Sequence, residues 1–330
     1  MKKVVAVGVK EVDRPLFEQI KDKISYDLTI YDSEESYMNE QIYDDASYVI
    51  TSSPTILLGE KFFAMMERKN IPLVVAKMTG VGNIDLLAAK KHNVAVANVQ
   101  GYSPNAISEL AVSMAMSLNR NLFAIQLANQ HNDFRITYPF FKEIRDCTVG
   151  IYGMGRIGSV SAKLFSSLGS KVIGWDPHPN KDNESFMQYV EIQQLLKQSD
   201  ILILHSPYIK GVNYHVVNEE FIAEMKSDAL LINVARGELV DLKTVNKAIK
   251  EKKLAGYATD VLENEQDLFG SKVDSIQNED VREAINLYPQ VIITPHVGAH
   301  TLRARNTMVQ IAFDEIEEFE KTSTCRFRLV

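Results

Sequence analysis

Residues 148–158 read Thr148-Val149-Gly150-Ile151-Tyr152-Gly153-Met154-Gly155-Arg156-Ile157-Gly158. A short apolar run enters a G-x-G-x-x-G turn, and apolar residues at helical spacing follow at once: Val160, Leu164, Phe165 and Leu168. The next apolar run, residues 171–175, ends beside Asp176, 18 residues beyond Gly158. Strand, glycine turn, helix, strand and acid in this order form a βαβ unit able to hold a dinucleotide. Gly153 permits the tight turn, Gly155 lets the backbone approach a pyrophosphate, and Gly158 lets the helix lie close to the strand. The helix opening at Arg156 and Ile157 turns unpaired N–H groups and a partial positive charge toward phosphate. Asp176 can accept hydrogen bonds from both ribose hydroxyls and would repel a 2′-phosphate. The expected cofactor is therefore NAD(H) rather than NADP(H).

The same rhythm continues downstream. Apolar runs at 201–205, 230–234, 256–259 and 291–294 alternate with helical patterns, which predicts a doubly wound parallel sheet. Upstream, runs at 3–9, 28–31, 48–51, 73–76 and 94–99, with helices predicted at 16–24 and 60–68, predict a smaller α/β sandwich. Between the two series stands Gly101-Tyr102-Ser103-Pro104, in which Ser103 suits a helix cap and Pro104 its first turn. No Gly or Pro interrupts residues 105–132, so one helix of roughly 40 Å is expected, long enough to exceed one domain layer and to serve a dimer; a bend at 119–121 is the other reading. The polar stretch 264–280 reads as a long loop.

Composition limits the rest. A chain of 330 residues, 45% hydrophobic and 24% charged, suits two globular domains. A net charge of −7 argues against a general nucleic-acid binder. No run reaches the ~18 apolar residues that span a bilayer, and the opening apolar run is too short for a signal peptide. Cys147 and Cys325 form neither a disulfide framework nor a zinc spacing, which fits a reducing cytoplasm. The seven histidines show no ligand spacing, so no metal is expected.

Four strand ends carry polar groups: His205-Ser206-Pro207, Asn233-Val234-Ala235-Arg236-Gly237, Asp260 to Glu265, and Thr294-Pro295-His296-Val297-Gly298. In a doubly wound sheet strand ends face the cofactor crevice, which makes Ser206, Pro207, Val234 and Ala235 candidate cofactor neighbours. Hydride transfer to or from a 2-hydroxy acid asks the protein to hold a carboxylate, move one proton and exclude water. Arg236 offers a fork for a carboxylate, His296 titrates near the working pH, and Glu265 can orient that imidazole and raise its pKa. Singly, each residue also fits an ordinary structural role; beside a dinucleotide cradle they point together to catalysis.

These motifs, with Thr79-Gly80-Val81-Gly82-Asn83-Ile84-Asp85 and Tyr102-Ser103-Pro104, resemble the NAD-dependent D-2-hydroxyacid dehydrogenases over nearly the whole chain, the D-lactate dehydrogenase branch above all. The resemblance implies a Rossmann coenzyme domain, residues 102–298, inserted in a smaller flavodoxin-like substrate domain of residues 1–101 and 299–330. It implies an active site in the cleft and a homodimer through the 104–132 helical region. Arg236 matches the substrate-binding catalytic arginine, His296 the acid/base and Glu265 its partner. Asp260 matches a residue near the nicotinamide carboxamide, Thr79, Gly80 and Val81 a loop whose N–H groups hold the substrate carboxylate, and Tyr102 a substrate-side hinge residue. Pyruvate reduction to D-lactate is the expected reaction. Another 2-keto acid (glyoxylate, hydroxypyruvate, branched-chain or phosphorylated) and an NAD-sensing corepressor-like protein are the alternatives. The chain departs from the branch at Ala299-His300, where an aromatic pair is usual, at Lys77, where arginine is common, and at Gly82, where an acid is common.

Overall fold

The apolar runs of the first hundred residues pair as five parallel strands in a computed structural model that describes residues 1–32, 35–53 and 55–330. They are β1 (Lys2–Val7), β2 (Tyr26–Ile30), β3 (Ala46–Thr51), β4 (Leu73–Ala76) and β5 (Ala95–Asn98), in the order β2-β1-β3-β4-β5. This is the flavodoxin-like doubly wound order. Val4, Val5, Val49, Ile50, Val74 and Val75 are fully buried, as continuous apolar runs require when helices cover both faces. The helix Glu60–Arg68 buries Phe62, Phe63, Met65 and Met66 against this sheet.

The C-terminal helix Leu302–Thr322 belongs to the same unit, which comprises residues 1–103 and 300–330. After it the chain returns to β5, where Leu329 N–H donates to Val96 O at 2.7 Å. Lys77, at the end of β4, is fully buried and donates to Asp13 at 2.8 Å, while Arg305 from the C-terminal helix grips the other oxygen of Asp13 at 2.8 Å. Burial and the Arg305 charge push the Lys77 ammonium down to about 8. The lysine that replaces an expected arginine thus sits in a buried ion triad.

The second unit, residues 104–299, holds seven parallel strands. They are β6 (Thr148–Tyr152), β7 (Lys171–Trp175), β8 (Gln188–Tyr189), β9 (Ile201–Leu204), β10 (Leu230–Asn233), β11 (Gly256–Thr259) and β12 (Val291–Ile293), ordered β12-β11-β10-β9-β6-β7-β8. The direction of winding reverses between β6 and β9, the switch point at which such sheets bind ligands. Register makes the strand ends flush: Tyr152 pairs with Trp175 and Leu204, Asn233 with Leu204 and Thr259, and Thr259 with Ile293. Every polar strand end singled out in the sequence therefore emerges along one edge.

One expectation needs correction, and one strand was not foreseen. Residues 105–132 are not one helix; Pro104–Asn119 and Leu122–Gln130 are separate, joined through Asn121 in the left-handed conformation at φ 48°. Asparagine tolerates that conformation, so the break needs no Gly or Pro. The two-residue strand β8 escaped prediction because Gln188-Tyr189 has no apolar period to read. Within the polar stretch 264–280, Glu265–Asp267 forms a single 3-10 turn, and this turn carries a candidate site residue.

Candidate active site

The glycine turn is shaped by close approach. Gly153 has φ +98°, and a Cβ there would stand 2.6 Å from the Ser206 backbone nitrogen. A Cβ on Gly158 would meet the Gly153 carbonyl oxygen at 2.0 Å, so any larger residue would force the helix Arg156–Ser167 off the turn. Gly155 instead faces open space at the helix N-terminus. The first-turn N–H groups, Arg156, Ile157 and Gly158 among them, have no acceptor within a helix. Asp176 closes the turn from β7, accepting from Met154 N–H at 2.7 Å and His178 N–H at 2.8 Å. Each of its oxygens keeps a second lone pair for a diol. An open cradle at a helix N-terminus beside a carboxylate fits a dinucleotide.

The neighbouring strand end is braced by a residue that sequence reading missed. Asn213 donates to Pro207 O at 2.8 Å and accepts from Ile209 N–H at 2.7 Å, holding the loop that carries Ser206 and Pro207. Its only sequence signal is a lone asparagine in a loop. His205, just before them, meets Ser161 Oγ at 2.7 Å, and burial pushes its imidazole down to about 3, so it is neutral.

Arg236 is aimed by a buried asparagine. Asn233, at the end of β10, accepts from Ala235 N–H at 3.0 Å and donates to Arg236 O at 2.9 Å, so the Val234–Ala235 turn is folded around its amide. The exposed Arg236 guanidinium touches Ala235 O at 2.7 Å and keeps its remaining donors. Gly237 then packs so closely that a Cβ would stand 2.0 Å from the Leu262 carbonyl carbon.

His296 follows Pro295 in the left-handed conformation, φ 54°, an uncommon posture for a residue with a side chain. Three bonds from one carboxylate hold that turn. Asp260 is 2% exposed and accepts from Thr294 Oγ1 at 2.5 Å, Val297 N–H at 2.8 Å and Gly298 N–H at 2.8 Å. Burial pushes the Asp260 carboxyl up, against the pull of these donors. The side-chain hydrogen bonds of Asp260 all go to the His296 turn.

The His296 Nδ1 atom hydrogen-bonds Glu265 Oε1, whose other oxygen accepts from Leu262 N–H at 3.1 Å. With Nδ1 engaged, Nε2 is the nitrogen free to exchange a proton. Partial burial of the ring works against its charge, but the Glu265 hydrogen bond and the Glu265 and Asp260 charges outweigh it, and the pKa is raised; Arg236 is close enough to oppose them. The ring remains 46% exposed.

The remaining candidates belong to the first unit. Thr79 is fastened on both sides, its Oγ1 donating to Val99 O at 2.8 Å and its carbonyl accepting from Asn98 Nδ2 at 2.8 Å. The backbone N–H groups of Thr79, Gly80 and Val81 have no acceptor among the described residues, which leaves three successive donors for an anion. Tyr102 is partly buried in the same unit.

The family model for the D-isomer specific 2-hydroxyacid dehydrogenase NAD binding domain matches residues 112–298. The chain is 38% identical to an aromatic 2-oxoacid reductase of Clostridium sporogenes over 78% of each chain. It is 32% identical to a D-lactate dehydrogenase of Lactiplantibacillus plantarum over 97% of each. Among solved structures, the NAD complexed form of a D-isomer specific 2-hydroxyacid dehydrogenase from Lactobacillus delbrueckii ssp. bulgaricus superposes with a TM-score of 0.90 at 31% identity, covering 100% of both chains.

Proposed function

Because the chain belongs to the D-isomer specific 2-hydroxyacid dehydrogenases and is an NAD-dependent oxidoreductase, we propose that it reduces pyruvate to D-lactate through Arg236, Glu265 and His296. The observation that carries this reading is the Glu265–His296 pair, held by Asp260 on the same sheet edge as the glycine turn. NADH, when bound, supplies the hydride to the carbonyl carbon. Gly153, Gly155, Arg156, Ile157, Gly158 and Asp176 hold it, flanked by Ser206, Pro207, Val234, Ala235 and Asp260. His296 Nε2–H donates its proton to the developing alkoxide, and neutral His296 takes the hydroxyl proton in the reverse direction. Arg236 takes the substrate carboxylate and polarises the keto oxygen. Thr79, Gly80 and Val81 hold the carboxylate by N–H groups, and Tyr102 borders the substrate.

A second reading of the substrate rests on Ala299. A small residue three positions beyond His296 leaves room for a larger side chain, and the Clostridium sporogenes relative is an aromatic 2-oxoacid reductase. Following NADH absorbance with pyruvate, glyoxylate, hydroxypyruvate, branched-chain and aromatic 2-oxo acids separates the two. Highest kcat/KM on pyruvate supports the first, and preference for an aromatic acid overturns it.

Two variants test the roles of the carboxylates. Asp176→Ala is expected to relax the preference for NADH over NADPH, because the charge facing a 2′-phosphate is gone; wild-type preference for NADPH would refute the assignment. Glu265→Gln is expected to lower the upper pH limit of reduction. Glu265 holds the His296 pKa above its ordinary value, so the proton needed for reduction persists as pH rises; without that charge it leaves at lower pH. An unchanged pH profile contradicts the pairing.

A homodimer is the proposed assembly. Ile136 and Phe140, in the arm after the helix Leu122–Gln130, are 95% and 105% exposed, and Phe134 is 73% exposed. Apolar side chains so open call for cover. A sedimenting mass of one chain would refute this. No helix among the described residues is long and apolar enough to cross a membrane, and both cysteines are free and buried, which supports a cytoplasmic setting.

A further inference from the structure

Three side chains that touch none of the reacting groups converge on the segment leading into Glu265. Tyr214 and His215 lie between β9 and β10 with their rings stacked at 3.9 Å and 16°. The Tyr214 hydroxyl donates to Glu263 Oε1 at 3.0 Å, and His215 Nε2 meets Glu263 Oε2 at 2.9 Å. Glu263 is thereby held by both oxygens, two residues before Glu265.

The stack is itself anchored to the chain that follows Arg236. His215 stands in the left-handed conformation at φ 48°, and its N–H donates to Glu238 O at 2.8 Å. Val217 N–H donates to Leu239 O at 2.9 Å just beyond. Gly237 in turn admits the Leu262–Glu263 peptide so closely that a Cβ would stand 2.1 Å from Glu263 N. Residues 262–263 are therefore tied twice to the chain around Arg236, through the close approach of Gly237 and through the Tyr214–His215 stack on the Glu263 carboxylate. Leu262 N–H, next in line, holds Glu265 Oε2 at 3.1 Å, while Glu265 Oε1 bonds His296. A shift of this backbone moves the donor that fixes the carboxylate.

We propose that Tyr214, His215 and Glu263 form a clamp that positions the Glu265 carboxylate against His296. The inference rests on the reading of His296 as the acid/base. The clamp residues are positioning residues. His215 and Glu263 are 30% and 34% exposed, so each bond is modest and the effect is graded.

The groups facing His296 are Glu265, Asp260 and Arg236; those facing Glu263 are Tyr214 and His215, with Tyr208 and Asp241 near Tyr214. The test is therefore made at His296 itself, by NMR titration of the imidazoles in the full-length protein, with the pH profile of reduction beside it. Glu263→Gln and His215→Ala are expected to lower the His296 midpoint by roughly half a pH unit, about threefold in proton affinity, with KM for NADH within about twofold of wild type. Tyr214→Phe, which removes one donor and keeps the stack, should give a smaller change in the same direction. If His215→Ala does not fold, Glu263→Gln and Tyr214→Phe decide. Glu265→Gln is titrated in parallel. If it moves His296 while the clamp variants lower only the melting temperature, the clamp is overturned and the acid/base reading stands. If Glu265→Gln also leaves His296 unmoved, the Glu265–His296 pairing that the clamp would serve fails with it, while the acid/base role of His296 is decided separately by turnover of His296→Ala.

Discussion

His296→Ala is expected to abolish reduction of 2-oxo acids, with a loss on the order of 10²–10⁴ in kcat from the missing proton transfer. The developing alkoxide would have no positioned donor, since the Glu265 oxygens are engaged by the imidazole and by Leu262 N–H. NADH affinity should barely change, because the residues proposed to hold it, Gly153, Gly155, Gly158 and Asp176, follow β6 and β7, away from the His296 turn after β12. Steady-state turnover together with fluorescence titration of NADH checks both parts. A folded variant that has lost NADH binding would show that His296 serves the cofactor, and a variant that keeps most of its turnover would remove it from the mechanism.

Arg236→Gln should lower kcat/KM by roughly 10²–10³ or more, through both terms: KM rises as the carboxylate loses its fork, and kcat falls as the keto oxygen loses its polarising charge. Arg236→Lys is expected to recover only part of this. A lysine restores a point charge but not the planar pair of donors. The Asn233 turn stays intact in both variants, because Asn233 binds the backbone of residue 236 and not its side chain. Kinetics across a 2-oxo acid series, with NADH binding measured separately, distinguishes substrate loss from cofactor loss. Full recovery by lysine would refute the bidentate role.

Much of the fold was legible because parallel strands covered on both faces leave continuous apolar runs, and 148–152, 201–205 and 230–234 are such runs. The glycine turn was legible because steric demand selects residue type: only glycine allows the contacts made at 153 and 158. The helix break at Asn121 was legible only as the second reading, a bend at 119–121, since a single asparagine in the left-handed conformation carries little signal. The work of Asp260 within the His296 turn was not legible. An acid after a strand looks the same whether it faces a cofactor or the backbone of a turn 34 to 38 residues away. Asn213 and the Tyr214–His215 stack were missed for the same reason.

The amino-acid order by itself determined the doubly wound class, the dinucleotide cradle and the kinds of group available for chemistry, because each depends on neighbours a few residues apart. Tertiary structure alone decided which of those groups meet. Glu265 and His296 are 31 residues apart and reach each other only because β11 and β12 pair in one register, with Thr259 opposite Ile293. A slip of one residue would turn alternate side chains to the other face of the sheet and part them. Register is settled by packing over the whole sheet, and no local pattern contains it.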